Sequence, residues 1–117
     1  EVVKAILTSN VEDDKWLSRV QSTLAKGSPI TMHLVFEQCQ RGGEMSLADC
    51  FRMEVDMSCR CGEQGEFQEG VRALLIDKDM SPKWQYASVE DVPATVVEHF
   101  FTSPWEDDKH PLAQLGK

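Results

Sequence analysis

The chain has 117 residues, of which 27% are charged and 41% hydrophobic, with 12 basic against 20 acidic side chains. This length fits one domain with a single modest core. The net charge of −8 argues against nucleic acid as a partner, because phosphate backbones are bound by clustered Lys and Arg. We see no stretch long and apolar enough to cross a bilayer and no signal peptide, so we expect no membrane partner.

The first third of the sequence predicts three helices. Residues 1–7 form a short helix, and Asn10 or Asp13 caps a second helix that runs to Lys26. Ser28 and Pro29 suit the N-cap and first position of a third helix, which stops at the glycine pair 42–43. The side chains expected to face the core are Trp16, Leu17, Val20 and Leu24 in the second helix, and Met32, Val35, Phe36 and Cys39 in the third.

The middle of the sequence predicts two more helices around a glycine-bounded break at 62–65. Ser46 opens the fourth helix, with Asp49 three residues later in a position typical of a capping box. A fifth helix covers residues 67–77. The predicted core-facing residues are Leu47, Cys50, Phe51, Met57 and Cys61 in the fourth helix, and Phe67, Val71, Leu74 and Leu75 in the fifth.

The last part of the sequence predicts a loop, a turn and one helix. Residues 79–86 form the loop, because the serine before Pro82 is biased away from helix. Ser88 caps the turn, and Pro93 begins a helix with Val96, Val97, Phe100 and Phe101 on its apolar side. We therefore predict an all-α fold of five or six short helices over residues 1–104, and an irregular or mobile tail over 105–117.

The four cysteines, Cys39, Cys50, Cys59 and Cys61, predict free thiols in a reducing compartment, with zinc or a disulfide as the alternative. The pair Cys59 and Cys61 has C-x-C rather than C-x-x-C spacing, and its side chains point about 160° apart on a helix. The three histidines do not cluster at ligand spacing. We therefore predict no metal site.

Glu54 lies within the predicted apolar face of the fourth helix, where an unpaired carboxylate is costly. One interpretation is a structural ion pair with Arg72 or Lys78 on the following helix. The other is a general acid or base, for which the sequence offers no second catalytic group.

Trp84 follows Lys78 and Lys83 closely in an otherwise acidic chain. An aromatic ring in this setting can dock against the end of a helix. It can also stack on an adenine whose phosphates are bound by the two lysines. The sequence leaves both interpretations open.

Two adjacent motifs carry a resemblance, FQEGVRALLIDKD at 67–79 and SPKW at 81–84. Together with KGSP at 26–29 and RME at 52–54, they resemble the 3-hydroxyisobutyryl-CoA hydrolase branch of the enoyl-CoA hydratase/isomerase (crotonase) superfamily. The resemblance runs from about Trp16 to Phe101 and covers only the last third of such an enzyme. It implies that the chain is the C-terminal helical region of a crotonase-type fold.

The resemblance implies a parent enzyme that hydrolyses a CoA thioester in valine breakdown, with CoA as part of the substrate and no separate cofactor. The superfamily's catalytic carboxylates and oxyanion-hole N–H groups belong to a core that nothing here matches, so no residue is assigned as catalytic. By similarity, Lys78, Lys83 and Trp84 are candidate CoA contacts. Leu74 and the Lys78-Asp79 pair differ from the wider superfamily pattern at this point.

The expected role is to cover the acyl-CoA site of the missing N-terminal core and to supply packing and oligomer surface. Apolar faces left without that core predict self-association. The alternatives are a non-catalytic helical interaction module, or a fragment of an enoyl-CoA hydratase or isomerase. We expect a cytoplasmic protein, or a mitochondrial-matrix protein if the source is eukaryotic.

Overall fold

The computed structural model describes residues 1–117 and contains six α-helices and no β-strand, which confirms the predicted all-α fold. None of these helices combines the length and the apolar character needed to span a membrane. A π-helical segment, Arg72–Ile76, continues the fifth helix, and 3₁₀ turns occur at Val89–Asp91 and Asp107–Lys109. The α-helices are α1 Val2–Thr8, α2 Lys15–Leu24, α3 Pro29–Gly42, α4 Leu47–Gln64, α5 Glu66–Val71 and α6 Ala94–Phe100.

Side-chain caps set the beginning of the three long helices. Ser28 accepts from the amide of Thr31 at the start of α3, and Ser46 accepts from the amide of Asp49 at the start of α4, both at 3.2 Å. The predicted cap of α2 was wrong by one residue, since the Asp14 carboxylate accepts from Leu17 at 2.9 Å. Asn10 instead accepts from the amide of Glu12, two residues on, which closes a local turn before the helix.

The core is a seam between α3, α4 and α6. Its members are Ile30 and Leu34 of α3, Met53 and Met57 of α4, Val92, and Val97 and Phe100 of α6. Phe100 has no exposed surface and is the largest fully buried side chain. The predicted apolar side of the last helix is therefore confirmed at Val97 and Phe100. Burial of the apolar side chains in this seam stabilises the fold.

Outside this seam the molecule is loosely packed. The radius of gyration is 16.4 Å, against about 13 Å for a compact domain of this length. Only 13 of 117 residues are buried. The helices outside the seam therefore keep apolar side chains in contact with solvent.

Several predicted core-facing residues are exposed. Trp16 is 72% exposed rather than a core anchor. In α3 the buried stripe runs through Ile30 and Leu34, while Val35 and Phe36 face outward. In α4 the stripe includes Met53 and Met57, and Leu47 and Phe51 lie outside it. In α3 and α4 apolar residues occur on more than one face, so the neighbouring helices decide which face is covered. In α2 the apolar residues share one face, but no element covers it enough to bury any of them.

The segment after Pro104 has no α-helix, but it packs firmly on α4. His110 and Ala113 are buried, and the guanidinium of Arg52 donates to the carbonyls of Leu112 and Leu115. The His110 ring accepts the amide of Leu112 at Nδ1, and its Nε2 lies 3.3 Å from Oδ1 of Asp56. These contacts come from α4 and could not be read from the composition of the tail.

Candidate functional site

The motif-bearing segment is helical over 66–76, close to the predicted 67–77, but its second half is π-helical rather than α-helical. The α-helix ends at Val71, and Asp77 N donates to Arg72 O at 2.8 Å in the i to i−5 pattern of a π-turn. The inward face consists of Glu66, Gly70 and Ala73 rather than the predicted set. The four predicted inward residues are only partly covered or exposed, and the exposed ones are Phe67, Leu74 and Leu75.

Arg72 binds three carboxylates. Its Nε and Nη2 donate to the two oxygens of Glu69 at 2.9 and 2.7 Å, a bidentate pair. Its Nη1 donates to Asp77 and to Asp79, each at 2.7 Å. Nη2 also reaches the carbonyl of Ser81 at 3.3 Å. One guanidinium thus joins the last turn of α5 to the loop that follows.

The loop held by Arg72 has an uncommon backbone conformation. Lys78 and Met80 both have φ of 54°, in the left-handed region that L-residues rarely occupy. The amide of Met80 donates to the carbonyl of Ala73 at 3.1 Å, and the amide of Lys83 donates to Oε1 of Glu69 at 2.7 Å. Such a conformation persists only where surrounding contacts fix it, and here the Arg72 and Glu69 contacts do so.

The charges of this cluster shift the proton affinity of its members. Hydrogen bonds from the Arg72 guanidinium, followed by the amide of Lys83, lower the pKa of Glu69 to about 2. The Arg72 hydrogen bond and the amide of Ser81 also lower the pKa of Asp79. Hydrogen bonds to Glu69, Asp79 and Asp77 raise the pKa of Arg72. All three residues are therefore ionised at neutral pH.

Glu66 provides a second attachment for the same loop. Its side chain is buried, and it accepts the hydroxyl of Ser28 and, at 2.9 Å, the amide of Gln85. Trp84 lies in the sequence between Lys83 and Gln85, whose amides bind Glu69 and Glu66. Its indole N–H donates to the carbonyl of Lys26 at 2.9 Å, just beyond the end of α2, and its ring lies over Gly70, 3.4 Å from where a Cβ would stand. The structure thus places Trp84 against a helix end; stacking on an adenine stays a prediction.

An apolar groove of about 390 Å³ opens beside Trp84. The residues that line it include Phe67, Leu74, Leu75, Cys61 and Glu66. Burial, together with the nearby charge of Glu66, raises the pKa of the Cys61 thiol, so this sulfur is not an activated nucleophile. The groove therefore presents apolar surface rather than reactive groups.

The other predicted site residues lie apart. Glu54 is exposed on α4 and accepts from the side chain of Gln38 at 2.9 Å, so the ion pair predicted with Arg72 or Lys78 does not form. The reason is that Met53, one position earlier, faces the seam in its place. Lys78 and Lys83 are both exposed and form no ion pair. All four cysteines are free thiols, and no three potential metal ligands come together.

Sequence reasoning missed the roles of Glu66, Glu69 and Asp79. A signal was present, because residues three apart on a helix share a face, and both the 66–69 and the 69–72 pairs have this spacing. The contacts to Asp79, Lys83 and Gln85 could not be inferred, since they depend on how the loop turns back.

The fold and the site together define an all-α region. The loop after its fifth helix is held by buried and ion-paired carboxylates and carries two unpaired lysines. Comparison with known proteins gives its family. The chain matches the enoyl-CoA hydratase/isomerase family over residues 1–101 and belongs to that family.

Curated relatives agree with the family assignment. The chain is 40% identical over 92 residues to the mitochondrial 3-hydroxyisobutyryl-CoA hydrolase of Dictyostelium discoideum, covering 78% of this chain and 24% of that protein. It is 45% identical over 86 residues to the enzyme of the same name from Danio rerio, covering 74% and 22%. It is also 32% identical over 111 residues to the small ribosomal subunit protein mS47 of Arabidopsis thaliana, covering 86% and 27%. The chain thus spans about a quarter of the length of these relatives.

Proposed function

We propose that this chain is the C-terminal helical part of a 3-hydroxyisobutyryl-CoA hydrolase, where it covers the acyl-CoA site and supplies packing surface. The parent reaction is hydrolysis of the thioester to 3-hydroxyisobutyrate and free CoA, a step of valine catabolism. The oxyanion-stabilising groups and catalytic carboxylates belong to the preceding core, and CoA enters only as part of the substrate. The matching enzymes of Dictyostelium discoideum and Danio rerio are named as mitochondrial, which supports the mitochondrial matrix as the location for a eukaryotic source.

One observation carries the proposal: an exposed apolar strip lies beside a locked loop with two unpaired lysines. The strip consists of Phe67, Leu74, Leu75, Ile76 and Met80, of which Leu75 and Ile76 are 67% and 69% exposed. Lys78 and Lys83 lie in the loop that follows α5, where both are exposed and neither forms an ion pair. An apolar surface next to unpaired cations suits a thioester with an apolar arm and a phosphorylated nucleotide.

The reaction is tested on the product of the complete reading frame. We expect it to hydrolyse 3-hydroxyisobutyryl-CoA, measured by release of the free CoA thiol, and the 117-residue chain alone to be inactive. Replacing Lys78 and Lys83 together by Ala is expected to raise KM about tenfold with little change in kcat, because both lysines act on binding. A matched control is Lys4→Ala with Lys15→Ala, which removes two exposed lysines from the N-terminal helices. An unchanged KM in the first variant would contradict the assigned role of the loop.

The packing role predicts self-association of the isolated chain, because the strip is then uncovered. Light scattering is expected to give a mass above that of the 13.2 kDa monomer. Leu75→Ser should shift the chain toward monomer, whereas Leu47→Ser, which is 73% exposed on α4, should not. A monomer at high concentration for the unaltered chain counts against this role.

A second candidate is a non-catalytic helical module, favoured by the relative from Arabidopsis that is named as a ribosomal protein. In that case the product of the complete reading frame would lack thioesterase activity and would sediment with the small ribosomal subunit. Activity together with sedimentation as a free protein excludes this candidate.

A further inference from the structure

Arg72 is not one of the residues assigned to the ligand, but it contacts three carboxylates that are close to the two lysines in the sequence. Its partners Glu69, Asp77 and Asp79 flank Lys78 and precede Lys83 in the sequence. Lys78 lies between Asp77 and Asp79 in the sequence, so these two carboxylates are its nearest potential partners along the chain. In this loop both aspartates bind the guanidinium, and neither lysine forms an ion pair.

The geometry of the guanidinium explains how one arginine side chain can bind three carboxylates. A guanidinium presents five N–H donors in a rigid planar fork, and Arg72 uses donors on Nε, Nη1 and Nη2. The two aspartates share Nη1, and Glu69 occupies the other edge of the fork. A lysine ammonium has no such fork and could not reproduce this arrangement.

The same contacts fix the backbone. Asp79 accepts the amide of Ser81 at 2.8 Å, and Glu69 accepts the amide of Lys83 at 2.7 Å. The left-handed residues Lys78 and Met80 lie between these two points. The conformation that presents the lysines therefore depends on carboxylates that Arg72 holds in place.

We infer that Arg72 is a positioning residue, which binds Glu69, Asp77 and Asp79 and thereby keeps the ammonium groups of Lys78 and Lys83 free for a phosphate-bearing ligand. This inference rests on the proposed function, in which those lysines contact the CoA part of the substrate. Loss of the guanidinium releases both aspartates to pair with the lysines and unlocks the loop.

The test compares three variants of the product of the complete reading frame, with CoA and 3′-dephospho-CoA as calorimetric probes. Arg72→Ala is expected to raise the Kd for CoA about tenfold. Arg72→Lys is expected to raise the Kd for CoA almost as much as Arg72→Ala, because the planar fork of donors is lost although the positive charge remains. Arg72→Ala combined with Asp77→Asn and Asp79→Asn should bind CoA more tightly than Arg72→Ala but less tightly than the unaltered protein, because no aspartate is left to neutralise the lysines although the loop stays unlocked. A stronger effect on CoA than on 3′-dephospho-CoA places the lysines at the 3′-phosphate, and an equal effect places them at the diphosphate.

A second readout needs no ligand. Amide hydrogen exchange at Lys83 is expected to be slow in the unaltered protein and faster in Arg72→Ala. Arg41→Ala is the matched control, since Arg41 also binds two carboxylates, Glu37 and Glu98, but joins α3 to α6. It should leave exchange at Lys83 unchanged.

The outcomes separate this inference from the proposed function. Unchanged exchange at Lys83 in Arg72→Ala overturns the positioning role whatever happens to CoA. Faster exchange with unchanged Kd overturns the link to the ligand, as does a triple variant that binds CoA no more tightly than Arg72→Ala. If Lys78→Ala with Lys83→Ala also leaves the Kd unchanged, the proposed CoA contact itself is wrong.

Discussion

Two regions are held together by different forces: the α3–α4–α6 seam, and the loop of residues 77–85 that follows α5 and its π-helical extension (the α5 loop). In the seam, seven side chains bury apolar surface around Phe100, and the ion pairs of Arg41 lie at its edge. In the α5 loop the apolar side chains point outward, and the inward contacts are hydrogen bonds to Glu66, Glu69 and Arg72. The seam therefore stabilises the chain, whereas the loop contacts fix the shape of a surface.

The largest expected effect tests the seam. Phe100→Ala removes the one large aromatic side chain that is wholly buried, and it should lower the free energy of unfolding by about 3–5 kcal/mol. Urea unfolding followed by circular dichroism measures it. Phe67→Ala is the matched control, since Phe67 is 67% exposed, and it should change stability little. Equal losses in the two variants would mean that the seam is not the main apolar core.

The second-largest effect is expected at Glu66, the buried carboxylate of α5 that binds the loop. Glu66→Ala leaves the hydroxyl of Ser28 and the amide of Gln85 without an acceptor, which should cost about 1–3 kcal/mol. Glu44→Ala, at an exposed position between α3 and α4, serves as the control. A loss below that of the control in urea unfolding would show that water replaces Glu66 without cost.

A pH titration separates the loop from the seam without mutation. The pKa of Glu69 is lowered from 4.5 to about 2, so the folded state binds fewer protons than the unfolded state between these values. The contribution of ionised Glu69 to the free energy of unfolding is therefore complete above about pH 4.5 and is lost as the pH falls toward 2. The amide resonance of Lys83 should report the change. In Arg72→Ala the midpoint should rise toward 4.5, and an unchanged midpoint would contradict the assigned cause.

The smallest effect concerns an ion pair at the seam. Glu98→Gln removes the charge that Arg41 contacts at 2.8 Å, but Glu98 is 64% exposed, and the loss should be below about 1 kcal/mol. Thermal unfolding in low and high salt measures it. A loss comparable to that of Phe100→Ala would break the distinction between apolar and ionic regions.

Local signals in the sequence predicted the elements well. The caps at Ser28 and Ser46, the turn after Ser88 and the apolar side of the last helix all depend on residues within a few positions of one another. The motifs at 67–84 also predicted the family, because they are specific in residue type and order. These features needed no knowledge of the tertiary structure.

The sequence was a poor guide to which face of each helix is buried. Trp16, Phe36 and Leu75 are large and apolar, yet all three face solvent, whereas the small Ala73 has no exposed surface. Hydrophobicity ranks side chains by the gain from burial, but it does not say whether a neighbouring element covers them. The same limit explains why Glu54 was predicted within a core face and Glu66 was overlooked.

The sequence by itself determined that the chain is helical, acidic and a member of the enoyl-CoA hydratase/isomerase family, because propensities, caps and motifs are local properties. Only the tertiary structure decided that Arg72 holds Glu69, Asp77 and Asp79 and leaves Lys78 and Lys83 unpaired. The physical reason is that several carboxylates compete for three cations within fifteen residues, from 69 to 83. Which pairs form depends on the left-handed path of the loop, and that path is fixed by contacts with α5 and the end of α2.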